Sequence, residues 1–236
     1  MFSIFKNVWF RDSDEQSLYI NEVAVRIRAG LLLIIPLFVG LTLYDVLYTS
    51  SWVVDGNTMV DQYETDWEGR TVYAVEAVKR TYEYSTQTWV LFYGLFEMLA
   101  GMFVFSARFS PAILLSTYLS RNTLPIWKPL QPKRFAWSIG ASMILACILY
   151  FNPDTFASWV NALSGSELLP VTENYMPGWI PGLVWFCIVF MWLEAILGIC
   201  AGCKIHALLV KVGVIKEECL ACNNIDWKKI TETSKS

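Results

Sequence analysis

Apolar residues gather along the chain in four long blocks, and each is close to the length needed to cross a bilayer. A hydrocarbon core of about 30 Å takes about 20 helical residues. The first block, "AGLLLIIPLFVGLTLYDVLY", predicts a span over residues 29–48, bearing Pro36 and ending near Asp45. The second, "WVLFYGLFEMLAGMFVF", predicts a span over 89–105 with Glu97 near its middle. It is short, so its helix is expected to extend upstream through "TVYAVEAVKRTYEY". The third, "FAWSIGASMILACILYF", covers 135–151 and stops at Asn152-Pro153, a strong helix terminator. The fourth runs over 179–201 and carries Glu194. Trp and Tyr near these ends fit interfacial anchors.

Shorter patterns predict helices lying on the membrane surface. "MFSIFKNVWF" would place Phe and Trp on the lipid side. Ser110-Pro111 is a helix-start signal ahead of "AILLSTYL". In "KIHALLVKVGVI", Ile205, Leu208, Leu209, Val212 and Ile215 form an apolar stripe with lysines beside it. The expected fold is an all-α integral membrane protein, a four-transmembrane-helix bundle with short interfacial helices. Residues 1–213 would form the membrane domain and 214–236 a cytoplasmic C-terminal tail. The first long apolar run begins too far in for a standard signal peptide, so the chain is expected to stay uncleaved.

Composition supports the membrane reading, and charge distribution orients it. The 236 residues are 55% hydrophobic, 15% aromatic and 17% charged, with mean hydropathy +0.42. Soluble domains are nearer 45–50% apolar and about 25% charged. The net charge of −3 says little; its placement says more. Residues 106–134 carry five Lys or Arg and no acid, whereas 49–88 carry seven acids against three bases. The segment 152–178 has three acids and no base. The positive-inside rule puts 106–134 and both termini in the cytoplasm of a bacterial inner-membrane protein. No basic cluster with interleaved aromatics points to nucleic acid.

Candidate chemistry centres on "CAGCKIHALLVKVGVIKEECLAC", two C-x-x-C pairs with fifteen residues between Cys203 and Cys219. In a soluble protein this spacing suggests a four-thiolate zinc site. Cytoplasmic thiols stay reduced, so a permanent disulfide is not expected. Three readings stand. Cys200 packs as a small residue within the G-x-x-x-G of Gly198 and Gly202. Alternatively, Cys200 and Cys203 form a redox pair, with Lys204 favouring a thiolate. In the third reading, Cys200, Cys203, Cys219 and Cys222 hold zinc or an iron–sulfur cluster, with His206 as a further candidate ligand. A fourth helix running through Cys200 leaves the pair at the negative end of its dipole, which disfavours a free thiolate and tilts the balance to metal. Glu97 and Glu194 are carboxylates inside apolar helices, which are functional candidates or cross-bundle hydrogen-bonders. Cys147 and Cys187 read as small hydrophobes. His206 is the only histidine, which excludes bis-histidine haem within one chain, and no phosphate-binding loop or G-x-S-x-G occurs.

Three ordered stretches resemble a known family. "QPKRFAWSIG" at 131–140, "FSARFSPAILLS" at 105–116 and "WLEAILGICAGCKIHALL" at 192–209 are similar to motifs of the domain of unknown function 4395 family. The resemblance implies a small multi-helix bacterial membrane protein with Glu194, Cys200, Gly202, Cys203 and Lys204 as signature positions. It implies no activity, and the pair Cys219 and Cys222 lies beyond its motif. Two function classes follow: a membrane thiol-redox or sulfur-handling component, and a non-catalytic accessory subunit whose cysteines bind metal or pack. The partners expected are the lipid bilayer and a membrane or redox protein or a second copy of the chain.

Overall fold

The structure, a computed structural model, describes residues 9–11, 18–49, 52–54, 63–73, 77–79, 83–171 and 176–215. A small antiparallel cap comes first. Strand β1 (Tyr19–Asn21) pairs with β6 (Trp127–Pro129), and Phe10 bridges to Ile20 on the other side. Each of these strands runs straight into a helix. Asn21 caps α1 (Glu22–Leu32), its side chain accepting the Val23 N–H at 3.1 Å. Pro129 leads into α6 (Leu130–Phe151). The cap therefore sets Glu22 and Lys133 within one turn of two neighbouring helix starts.

The chain continues from α1 through α2 (Ile34–Thr42) and α3 (Tyr44–Tyr48), with a local irregularity at Leu33. Pro36 has no N–H to offer the Leu32 carbonyl, which accounts for a break one turn before it. Two short ladders follow, β2 (Trp52–Val54) with β5 (Ala77–Lys79), and within them β3 (Tyr63–Thr65) with β4 (Thr71–Tyr73). Then come α4 (Ser85–Met102), a 3₁₀ turn (Ser106–Phe109) and α5 (Pro111–Ser120). After α6 stand α7 (Pro153–Ser164), α8 (Ile180–Trp192), a π turn (Leu193–Leu197) and α9 (Ala201–Val212).

The fold is mostly helical, and among the described residues three helices are long and apolar enough to cross a membrane: Glu22–Thr42, Leu130–Phe151 and Ile180–Leu197. Helix α4 is less apolar because its first turn is Ser-Thr-Gln-Thr and it carries Glu97. Large hydrophobics point outward around the bundle, among them Ile34, Leu41, Trp89, Leu145, Phe186 and Val189. An exterior of that kind is suited to lipid. Inside, Val39, Leu43, Leu91, Ile144, Cys147, Ile148, Phe151, Ile180 and Val184 make one continuous core cluster.

Several boundaries differ from the sequence expectation. The first span starts at Glu22 rather than 29, because the Asn21 cap starts the helix and Arg28 finds buried partners. In the stretch upstream of α4, Thr71–Tyr73 and Ala77–Lys79 are strands where a helix was expected; β-branched and aromatic residues there suit a pleated ladder. The third helix starts at Leu130, taking in Lys133 and Arg134. Helix α5 stands on its Ser110 cap, which accepts the Ile113 N–H at 3.0 Å. It buries Ala112, Ile113, Ser116, Thr117 and Ser120, packing on α1 as well as lying at the bundle edge. Trp9 and Phe10 are core residues at 1% and 5% exposure, not lipid-facing anchors; residues 1–8 lie outside the described residues. The last candidate span ends at Leu197 rather than at 201.

Candidate functional site

Helix α8 loses its regular hydrogen bonding at Leu193. A π turn carries the chain to Gly198, whose φ of +68° ends the helix. A left-handed residue there is cheap only for glycine. The Gly198 N–H returns to the Leu193 carbonyl, and Ile199 N–H reaches the same oxygen at 3.0 Å. Arg26 braces the break: its Nη2 donates to the Ile196 carbonyl at 2.8 Å, and its guanidinium covers the face of Gly198 where a side chain would project.

Past this break the chain starts a new helix. Cys200 has extended backbone angles and is the N-cap of α9, its Sγ accepting the Cys203 N–H at 3.3 Å. The sequence expectation that the C-x-x-C ends a helix is therefore reversed. Cys200 sits at the positive end of a dipole, where a thiolate is favoured. Gly202 lets α9 lie directly on α6: a Cβ there would stand 2.5 Å from Ala136 Cβ and 2.6 Å from its Cα.

That contact brings Cys200 to a buried ion cluster. Lys133 Nζ lies 2.6 Å from Glu194 Oε1 and 3.1 Å from Glu22 Oε2, with all three side chains largely or wholly buried. Half-exposed Lys128 reaches Glu22 Oε1 at 3.2 Å. The Cys203 thiol hydrogen-bonds to the Cys200 sulfur, and this contact does most to hold the Cys200 thiol below its ordinary value. The Lys133 charge and the Cys203 N–H act the same way, while burial and the Glu194 carboxylate oppose them. Cys203 is pushed up, first by that same hydrogen bond and then by burial. The two sulfurs are thus shifted in opposite directions, Cys200 down and Cys203 up. Both are free thiols here.

Of the residues singled out in the sequence, Cys200, Cys203 and Glu194 come together. Glu97 does not join them. It is fully buried in a second cluster, accepting from Ser110 Oγ and from the Ala112 N–H at 3.4 Å, with Arg28 Nη2 3.8 Å from its carboxylate. Arg28 also donates to the Glu97 carbonyl and lies over the Trp137 ring at 5.0 Å. This cluster ties α1, α4 and the start of α5 together. Lys204 is exposed, and the cation close to Cys200 is Lys133 instead. His206 is buried edge-on to Phe135, ring centroids 5.4 Å apart. Among the described residues no three His, Cys, Asp or Glu are grouped to hold a metal. Cys219 and Cys222 lie outside the described residues.

Lys133 and Glu22 were not recognisable as site residues from sequence. Lys133 and Arg134 count there as positive-inside loop charges. The available signal was a lysine just upstream of a long apolar run, matched by a glutamate in the apolar helix bearing the cysteines.

One comparison with known proteins gives a match. The family model "Domain of unknown function (DUF4395)" matches residues 20–211. No curated protein and no solved structure matches the chain.

Proposed function

This chain belongs to the DUF4395 family, and we propose that its Cys200 and Cys203 work as a dithiol–disulfide redox pair at the edge of a membrane bundle. The observation that carries this reading is the new helix start at Cys200. An N-capping cysteine, hydrogen-bonded by the second cysteine of its own C-x-x-C and close to a buried lysine, is arranged for nucleophilic attack followed by internal disulfide closure. In this reading α4 is the fourth span, made acceptable to lipid by pairing Glu97 inside the bundle. Residues 1–213 are the membrane domain and 214–236 a tail whose Cys219 and Cys222 are a second pair.

The test is the pH profile of Cys200 alkylation in the purified, reduced protein. Its midpoint should fall below the ordinary thiol value of about 8.5. Cys203→Ala should raise the midpoint by removing its largest cause, and Glu194→Gln should lower it by removing an opposing charge. A midpoint at or above the ordinary value would overturn the redox reading. Metal analysis of the same preparation tests the four-cysteine alternative. About one zinc or iron–sulfur cluster per chain, lost in both Cys203→Ser and Cys222→Ser, would put a metal site in place of the redox pair.

The proposed orientation places the site in the cytoplasm of a bacterial inner-membrane protein. Arg121 and Lys128 lie on the segment joining α5 to α6, and Lys128 bonds the same ion cluster that flanks Cys200. Reporter fusions at Asn122 and Trp67 should read inside and outside respectively. Both reading the same side would exclude four spans.

A further inference from the structure

An apolar cavity of about 110 Å³ begins at Cys200 and Glu194 and runs into the bundle, bounded by α2, α4, α6 and α8. Along α6 it reaches from Ala136 to Cys147. At 1.5 Å per residue that is about 16 Å, roughly half of a bilayer core. Its walls are almost entirely hydrocarbon, thioether and aromatic, for example Val39, Met143, Ile144, Val184 and Phe190. An engineered apolar cavity of about 150 Å³ accepts benzene; this one is somewhat smaller, so a single ring is the upper limit of what it admits without movement of its lining side chains.

Resting on the redox reading above, we propose that this cavity binds the ring of a lipid-soluble quinone and that the quinone oxidises the Cys200–Cys203 dithiol. Three observations select this acceptor. Cys200 is only 8% exposed and opens onto the cavity, so the disulfide of a soluble protein cannot reach its sulfur without opening the bundle. The cavity is apolar and walled on several sides by the candidate membrane spans, so its occupant must partition from lipid. Closing a disulfide releases two electrons and two protons together, and a quinone takes up just that set. The one carboxylate on the wall, Glu194, holds Lys133 at 2.6 Å, which puts a hydrogen-bonded ion pair where proton transfer is needed.

The chemistry balances. The Cys200 sulfur, having given up its proton, forms a C–S bond to a ring carbon of the quinone, and the displaced electron pair settles on a quinone oxygen, which takes a proton. The Cys203 sulfur, deprotonated in turn, attacks the Cys200 sulfur. The S–S bond forms as the C–S bond breaks, its electron pair stays with the ring, and a second proton completes the quinol. The dithiol is oxidised to a disulfide, the quinone is reduced to a quinol, and the two thiol protons supply the two quinol hydroxyls.

The probe is a fully substituted benzoquinone with a decyl tail, which cannot arylate thiols at an open ring position. Added to the reduced full chain in lipid vesicles, it should yield one quinol per two thiols lost, and the new disulfide should map to Cys200 and Cys203. Gly140 lines the cavity, and a Cβ built there meets only the Met98 sulfur at 3.7 Å. Gly140→Leu should fill the space and slow quinone-driven oxidation at least tenfold. Oxidation by the water-soluble oxidant diamide should be unchanged in Gly140→Leu, which also reports that the variant is folded. Met143→Trp gives a second, independent obstruction. A photoreactive derivative of the same quinone should label Met143, Ile144 or Phe190 in the wild type. Oxidation by diamide with none by quinone, or equal quinone rates in the wild type and both obstructed variants, overturns the quinone site and leaves the redox pair standing. A pair that neither oxidant closes overturns both.

Discussion

Replacing Lys133 with Met is expected to lower the stability of the bundle by about 3 kcal/mol, the largest effect of any single change considered for this protein. Its ammonium lies between two buried carboxylates, 2.6 Å from Glu194 and 3.1 Å from Glu22. Removing it leaves two negative charges facing each other out of water, with only half-exposed Lys128 near Glu22. Unpaired buried charge of this kind costs several kcal/mol, whereas removing the whole cluster is close to neutral. The triple variant Lys133→Met, Glu22→Gln, Glu194→Gln should therefore recover most of the loss in denaturant titrations in micelles. Recovery would identify charge burial as the cause; equal destabilisation of the single and triple variants would assign the loss to packing instead. The single variant should also raise the pH midpoint of Cys200 alkylation, since Lys133 is one of the groups holding that thiol down.

Gly202→Ala is expected to be nearly as severe, although it adds only one methyl group. The new Cβ would stand 2.6 Å from the Ala136 Cα, and a backbone atom cannot step aside as a long side chain would. Helix α9 must then lift from α6, at a cost of about 1–3 kcal/mol, carrying Cys200 away from Lys133. Ala136→Gly removes the closer clash, 2.5 Å to Cβ, but not the one with Cα, so the double variant should regain only part of the stability. Thermal unfolding checks the energetics and the alkylation rate of Cys200 checks the displacement. Unchanged values of both would mean that α9 does not pack as closely as described.

The four apolar blocks marked where helices run, and for three of them a helix of spanning length and hydropathy is found there. The Ser110-Pro111 start and the stop at Asn152 were also visible, because capping and proline chemistry are local. Their upstream limits were less legible. Helix α1 begins seven residues before Ala29 and contains Arg26 and Arg28, which a hydropathy window rejects but a folded bundle accommodates by pairing them. The region before α4 misled for the same kind of reason. "TVYAVEAVKRTYEY" has helical stretches by composition, and the pairing of β3 with β4 and β2 with β5 overrides them.

The chemistry divided along the same line. From the sequence alone one could determine that this protein is rich in membrane-length apolar segments, that it resembles its family, and that Cys200, Cys203 and Glu194 are its unusual groups. These follow from composition, periodicity and short-range spacing, which are properties of the chain itself. The electrostatic setting of the thiols was decided only by tertiary structure. A left-handed Gly198, braced by Arg26 from 172 positions earlier, converts a helix end into a helix beginning and so reverses the dipole at Cys200. Lys133, 67 positions upstream, is then brought to the sulfur by a glycine-to-alanine contact between α9 and α6. Both effects depend on groups far apart in the chain, and only packing brings them together.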